Sequence, residues 1–431
     1  MGIKKFYLET YGCQMNEYDS HLVESLLVAA GYEKAADENS ADLVILNTCS
    51  VRQKAEERAL GRIRSISSRQ SPREIAVIGC MAQRMGQKLL KINPHVKYVL
   101  GTGSFHRVVD LISGSNGSPL VDISCRDKPF DVQTEPLENK ISRYVTIMRG
   151  CDNFCSYCIV PYVRGRERYR SPERILSEIN RFENSGCREI WLLGQNVNSY
   201  RFDDLDFPEL LELVCGKTAI PRLRFLTSHP KDFSGRLIEV MAAYPKICKG
   251  IHLPLQSGSD RVLERMNRKY TSGQYLGKVL RLKEKIPEVV ITTDIIVGFP
   301  GETEADYLAT RELMEKIEFN SAFMFRYSVR DGTKAEQFED DVPEKEKLDR
   351  LDDLIKFQKK ISESKMAALI GSAQNVLLEQ TAKQNDHDAL GKTDGGANVV
   401  VREASSRLGE IVRVRINSSS YTTLVGEIIT Q

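Results

Sequence analysis

The chain has 431 residues, 61 Lys plus Arg against 59 Asp plus Glu, and a formal net charge of +2. With 41% hydrophobic and 28% charged residues, it is expected to form two to four ordinary globular domains rather than extended disorder. Near-neutrality excludes a protein that grips nucleic acid by bulk positive charge, although local patches stay open.

Taken in order, residues 1 to about 130 alternate strand-like runs (KKFYLETYG, ADLVILNTC, EIAVIGC, a weaker VKYVLGTG) with helical stretches such as DSHLVESLLVAAGY, predicting an open parallel α/β sheet. The segments SGSNGSP and RDKPFDVQTEPLENK read as a linker. From about 140 to 330 come six strand candidates, SRYVTIMRG, EIWLLGQNV, RLRFLTSH, GIHLPLQSG, VVITTDIIVGF and SAFMFRYS, with helical candidates between them. That length is short for a complete eightfold barrel, so a partial barrel of six β/α units is expected. The stretch EKEKLDRLDDLIKFQKKISESKMAALIG predicts a long connecting helix, with Leu348, Leu351, Ile355 and Ile361 near helical spacing. Finally NVLLEQT, ANVVVRE, EIVRVRIN and TTLVGEII predict a small all-β barrel. The fold class is therefore α/β, with domains expected at 1–135, 136–368 and 369–431.

No run of about 18 apolar residues is present, and MGIKKFYLETYG lacks the apolar core of a signal peptide, so a cytoplasmic protein with no membrane partner is expected. In a reducing compartment, patterned cysteines point to metal or thiol chemistry rather than disulfides. Ten cysteines occur, and six of them fall into two patterns. Cys151, Cys155 and Cys158 form a Cys-x3-Cys-x2-Cys loop directly after the first barrel strand. Three thiolates so close suit an iron–sulfur cluster. Zinc is the alternative, but it usually takes four protein ligands, and no His lies between His106 and His229. Cys13, Cys49 and Cys80 each follow a strand-like run, at separations of 36 and 31 residues that suit successive βαβ units. Equivalent ends of parallel strands open into one crevice, so three thiols could converge there. Any one of them alone would read as a small buried residue. Cys125, Cys187, Cys215 and Cys248 show no such pattern and are taken as structural.

The loop RGCDNFCSYC resembles the radical S-adenosylmethionine (SAM) superfamily. The resemblance implies that Cys151, Cys155 and Cys158 bind a 4Fe-4S cluster whose open iron chelates SAM, which on reduction gives a 5′-deoxyadenosyl radical. It also implies that Tyr157 lies near the adenine of SAM, Gly194 and Gln195 near its methionine portion, and Ile296 and Gly298 along the adenine side. At the second strand this chain carries GQN where many relatives carry Gly-Gly-Glu. The three-part organisation, with TYGCQMN, NTCSVRQKAE, IGCMAQR, LLGQNVNSY, TSHP and HLPLQSGSD, resembles the methylthiotransferases, most closely the MiaB-type tRNA branch. The C-terminal segment resembles a TRAM domain; YSVRDGTKA departs from the family pattern at Asp331, where Pro is common.

This resemblance implies a transferase that inserts a methylthio group at carbon 2 of isopentenyladenosine at position 37 of the tRNA anticodon loop. Two 4Fe-4S clusters would serve it, the second held by Cys13, Cys49 and Cys80 and carrying or donating sulfur. One SAM would methylate that sulfur and a second would supply the radical. An external electron donor and a monomeric state are expected. No side chain is assigned as a catalytic acid or base. The two clusters are expected to face one another with the adenine between them.

For RNA phosphates, residues 141 to 170 carry a local charge of +4 and residues 51 to 73 one of +5, and Arg164 and Arg166 are the expected RNA contacts. A solvated helix face for residues 51 to 73, and packing beside SAM for part of residues 141 to 170, are the alternatives. The C-terminal barrel, at a net charge of −1, adds little to the case for RNA. His229 and His252 fall near strand ends and fit either a site or a satisfied core position. The rival substrates are a ribosomal-protein aspartate and threonylcarbamoyl-adenosine in tRNA; a rival of another class is an iron–sulfur electron carrier or scaffold.

Overall fold

The computed structural model describes residues 4–51, 53–68, 73–114, 118–124 and 140–429. Most of the expected linker, the expected joint at residue 135 and Cys125 lie outside them.

The N-terminal part is one all-parallel sheet of β1 (Lys5–Thr10), β2 (Glu33–Lys34), β3 (Leu43–Thr48), β4 (Glu74–Gly79), β5 (Val96–Leu100) and β6 (Leu120–Asp122), in the order β2-β1-β3-β4-β5-β6. β3 is buried along its whole length, as a parallel strand covered on both faces should be. Helices α1 (Gln14–Ala29), α2 (Gln53–Ser67), α3 (Cys80–Met85), α4 (Lys88–Ile92) and α5 (Val108–Gly114) cover the sheet. Two apolar cores result, one around Phe6, Leu22, Ile45 and Phe105, the other around Val44, Ile63, Val77 and Met81. The short strands β2 and β6 were not expected from sequence.

The middle part opens with β7 (Ser142–Thr146) and a small antiparallel pair, β8 (Met148–Arg149) and β9 (Arg168–Tyr169), that brackets α6 (Val160–Arg164). It continues through α7 (Pro172–Asn184), β10 (Glu189–Leu193), the hairpin β11 (Arg201–Phe202) and β12 (Leu205–Asp206), α8 (Phe207–Lys217), β13 (Arg222–Phe225) and α9 (Gly235–Ala243). Then follow β14 (Gly250–His252), α10 (Asp260–Arg265), α11 (Ser272–Lys285), β15 (Val290–Val297), α12 (Glu304–Ile317) and β16 (Ser321–Arg326). The six expected strands are β7, β10, β13, β14, β15 and β16, forming two parallel three-stranded sheets, β13-β10-β7 and β14-β15-β16. A bridge between Leu223 and Ile247, with Cys248 N–H donating to the Leu223 carbonyl at 2.9 Å, spans the seam between them. This is the expected partial barrel.

Helix α13 (Glu344–Ala367) is the long connector, but its buried face differs from the expected stripe. Leu348 and Ile355 are exposed, whereas Lys347, Arg350, Leu354, Gln358 and Ser362 are buried. The buried polar groups have partners: Arg350 pairs with Glu302 at 2.8 Å, and Gln358 donates to the Phe319 carbonyl at 2.7 Å, leaving Arg350 Nε and Gln358 Oε1 unpaired among the described residues. The C-terminal part is a closed five-stranded barrel, β17 (Ala373–Thr381), β18 (Ala389–Thr393), β19 (Asn398–Val401), β20 (Ile411–Ser419) and β21 (Thr423–Ile428), in the order β17-β18-β19-β21-β20. It docks at the N-terminal ends of the barrel strands. Buried Arg222 donates to the Asn375 and Lys392 carbonyls, and buried Arg224 to those of Thr393 and Asp394, at 2.7–2.8 Å.

Candidate functional site

The ends of β1, β3 and β4, three neighbouring strands, carry Cys13, Cys49 and Cys80. Gly12 and Gly79 make these sharp exits possible. Gly79 has φ +95°, and a Cβ there would lie 2.5 Å from the Thr48 carbonyl; one on Gly12 would lie 2.7 Å from the Cβ of Cys49. A buried amide pair braces the loops: Asn16 Nδ2 donates to Asn47 Oδ1 at 2.9 Å and to the Thr48 carbonyl at 3.0 Å, and Asn47 Nδ2 donates to the Asn16 carbonyl at 2.8 Å. Burial pushes the Cys80 thiol up to about 12; Arg164 opposes the shift, and Cys49 and Cys13 add to it. Cys49 and Cys13 thus each lie within electrostatic reach of Cys80.

The second triplet is built locally. After β8, Gly150 turns at φ +83°, where a Cβ would fall 2.0 Å from the Arg166 carbonyl, and its N–H donates to Gln195 Oε1 at 2.5 Å. The loop is pinned from behind by Asn267 Nδ2 on the Phe154 carbonyl at 2.9 Å and by Ser156 Oγ on the Arg265 carbonyl at 2.8 Å. Buried Arg268 donates to Cys155 Sγ and to Tyr157 Oη, both at 3.4 Å. Burial pushes the Cys151 thiol up to about 11 with Cys155 contributing, and Cys158 higher still, with Cys155 and Cys151 adding to its burial.

Among the described residues no three His, Cys, Asp or Glu side chains form a group arranged for a single metal ion. Two sets of three thiols, each with an Arg at hand, are the donors a multi-iron cluster takes, one thiolate to an iron. For SAM, the fit rests on buried polar atoms at the C-terminal ends of β10, β13 and β14. Asn198, Ser228 Oγ, His229 Nε2 and Gln256 Oε1 have no hydrogen-bond partner among the described residues. Such groups cost free energy unless something polar meets them.

The two triplets share one boundary. Cys80 packs against Ile159 and Val163 of the turn and helix that follow Cys158. Thr102 Oγ1 donates to the Val163 carbonyl at 2.6 Å. Asp19 of α1, fully buried, takes Arg149 at 2.6 Å and Arg164 at 2.9 Å. Beside this boundary a cavity of about 430 Å³ runs from Gln14 past Tyr18, Tyr144, Trp191 and Leu226 to Glu379 of the C-terminal barrel. Tyr144 and Trp191 meet edge to face at 6.5 Å.

Of the expected SAM contacts, Tyr157 and Ile296 share one apolar cluster around Phe299. Gln195 holds the cysteine loop, and Gly194 lies at van der Waals limit against Met148. Gly298 lies against the Lys347 stem on α13, next in the chain to Phe299 of that cluster. His229 takes the Lys231 N–H at Nδ1 and stays neutral through burial and the nearby Arg268. His252 bonds Thr292 and Asp294.

The expected basic rim is corrected. Arg164 is 5% exposed and committed to Asp19, so it is no surface contact. Arg143, Arg149 and Arg170 are buried too, Arg170 on Glu178. Arg166 alone of the two expected RNA contacts is exposed, paired with Asp152 at 2.9 Å and lying over Phe154. Sequence reasoning missed Arg268 and Asp19. The signal for Asp19 was a charged residue on the helical face shared with Leu22 and Val23, while Arg268, in a polar turn, gave none.

Three family models match in register with this architecture: an uncharacterized protein family designated UPF0004 over residues 5–101, the radical SAM superfamily over 145–314 and the TRAM domain over 367–429. Among solved structures, the radical SAM methyltransferase TsrM from Kitasatospora setae aligns with a TM-score of 0.56 over 74% of this chain and 72% of its own, at 13% identity, a likeness of fold. The class is thus a three-part radical SAM protein. A tRNA-2-methylthio-N(6)-dimethylallyladenosine synthase from Citrifermentans bemidjiense is 46% identical over 99% of both chains, and one from Bacteroides thetaiotaomicron is 43% identical over 98% of this chain and 96% of its own. The chain belongs to the tRNA-2-methylthio-N(6)-dimethylallyladenosine synthase family, a transferase family of the radical SAM superfamily.

Proposed function

We propose that this protein inserts a methylthio group at carbon 2 of isopentenyladenosine at position 37 in the tRNA anticodon loop, in the cytosol, as a monomer supplied by an external electron donor. The observation that carries this reading is the meeting of two cysteine triplets at one domain boundary, joined through Ile159, Val163 and Asp19. Family membership implies iron–sulfur and SAM cofactors; the two triplets support two 4Fe-4S clusters, and two SAM molecules serve the two transfers. When bound, these cofactors supply one-electron SAM cleavage and sulfur delivery.

The chain's own side chains position and exclude. Cys151, Cys155 and Cys158 would hold the SAM-cleaving cluster and Cys13, Cys49 and Cys80 the sulfur-bearing one. Tyr157 and Ile296 would border SAM, with the unpartnered Asn198, Ser228 and Gln256 as candidates for its polar groups. The cavity lined by Tyr144 and Trp191 offers aromatic faces to a base splayed from its loop. We assign the domains to 1–135, 136–368 and 369–431. Among the described residues no helix is long and apolar enough to cross a membrane.

The test is anaerobic incubation of the reconstituted protein with SAM, reductant and tRNA bearing isopentenyladenosine, read by mass spectrometry of the nucleosides. A methylthio product on that tRNA is expected. Product only on a ribosomal protein or on threonylcarbamoyl-adenosine tRNA would move the substrate, and absence of 5′-deoxyadenosine would overturn the radical reading.

A further inference from the structure

The arginines near the cysteines are largely spent on internal pairs, but other cations gather where no single segment of sequence is basic. Between the N-termini of α9 and α11, beside the ends of the barrel strands, lies a groove of about 540 Å³. Its charged lining is Lys231, Lys269, Lys278 and Arg281, with no carboxylate. Asp232 and Glu239, which pair with Lys231 at 3.5 Å and Arg281 at 3.0 Å, stand outside the lining.

Two features set these cations apart, although Asp232 also acts on Lys278. The Lys278 ammonium donates to the Pro230 and Lys231 carbonyls, at 2.5 and 3.4 Å, and burial lowers its pKa. The Arg281 guanidinium lies across the first residue of α9: a Cβ on Gly235 would fall 2.4 Å from its Nη1. That is the positive end of the helix, where a cation is disfavoured and an anion favoured. An anion in the groove would relieve both. Tyr270 on the groove wall bonds Arg268 at 3.0 Å, and Arg268 reaches Cys155 Sγ, so the groove stands one side-chain layer from the cysteine loop.

We propose that this groove binds phosphates of the RNA backbone, holding the strand while the target base enters the boundary between the two triplets. The proposal rests on the functional reading above. Backbone contacts of this kind fix register without reading sequence, and each releases counterions, so they are visible in the salt dependence of binding.

The experiment measures binding of an anticodon stem-loop RNA to the reconstituted full-length protein by fluorescence anisotropy across a salt series. The double variant Lys269→Ala/Arg281→Ala should bind several-fold more weakly, with the slope of log K against log salt reduced by between about 1 and 2. Stem-loops with and without isopentenyladenosine should lose the same slope, and RNA-independent 5′-deoxyadenosine formation should not change. The charge-keeping pair Lys269→Arg/Arg281→Lys should restore the slope, which a folding defect would not allow, and Lys345→Ala on α13 should leave it alone. If the unaltered protein binds the stem-loop and the double variant matches it, the groove is overturned while the substrate reading stands. If the unaltered protein does not bind the stem-loop at all, both fall. Inorganic phosphate is the second arm: if it raises the melting temperature of the unaltered protein only, while RNA slopes are equal, the groove is a free-anion site and the RNA assignment is wrong.

Discussion

The two cysteine triplets present the same donors in opposite ways. Cys151, Cys155 and Cys158 lie within eight residues of one loop, so local geometry alone gathers them. Cys13, Cys49 and Cys80 come from the ends of three strands, and only the pairing of β1, β3 and β4 brings them together. A loop site depends on the turns that shape it, whereas a strand-end site depends on the whole sheet and on what packs over it. The difference extends to charge: Arg268 touches the loop set directly, while Arg164 reaches the strand-end set from the other domain and is itself held by Asp19.

The most severe way to break this comparison is to remove what the two sites share. Asp19→Ala strands Arg149 and Arg164 in a buried interface, and losing one partner of a buried pair costs about 3–5 kcal/mol. A large fall in melting temperature and poor iron loading at both sites are expected; an unchanged melting temperature would show that the boundary is not held this way. Next in size are two glycine substitutions that should separate the sites. Gly150→Ala drives a Cβ into the Arg166 carbonyl and Gly79→Ala one into the Thr48 carbonyl, both at positive φ, at a cost of about 1–3 kcal/mol each. Gly150→Ala should depress SAM cleavage, while Gly79→Ala should lower iron content and methylthiolation yet spare SAM cleavage. Identical losses in the two variants would erase the distinction.

The smallest effect concerns thiols outside both sets. Burial pushes Cys187 and Cys215 up to about 11. A raised thiol pKa means that the folded state holds its proton more tightly than the unfolded one. The stability it contributes is complete below the unfolded value, near 8.5, and is lost as pH rises toward 11. Melting temperature should therefore decline over that window in the apoprotein, and Cys215→Ala should reduce the decline without changing iron content at neutral pH. Lost iron would place Cys215 in a site.

The comparison also explains how much was legible beforehand. The six barrel strands and four strands of the N-terminal sheet were visible as apolar runs, and the strand-end cysteines could be aligned because βαβ spacing is regular. β18 was missed because ALGKT is short, with Gly and Lys breaking its alternation, and β6 because it is three residues long. The inner face of α13 was invisible to hydrophobic periodicity, since Arg350 and Gln358 are buried by hydrogen bonding rather than by apolarity. Charge was the least legible property. Arg164 and Arg166 stand two residues apart in the same basic run, yet one is locked on Asp19 and the other faces solvent. The groove cations, in contrast, come from three separate segments. Asp331, the departure from the family pattern, sits in an exposed turn and pairs at 3.3 Å with Arg84 of α3.

The central claim is that two cluster sites with different tasks meet at one boundary. Iron and sulfide content, with 5′-deoxyadenosine and methylthio-nucleoside yields, should be measured for the reconstituted protein and for its two triple variants, C13A/C49A/C80A and C151A/C155A/C158A. Each variant should retain half the iron; the first should still cleave SAM but form no methylthio product, and the second should do neither. Full iron content in C13A/C49A/C80A, or methylthio product from it, would contradict the account.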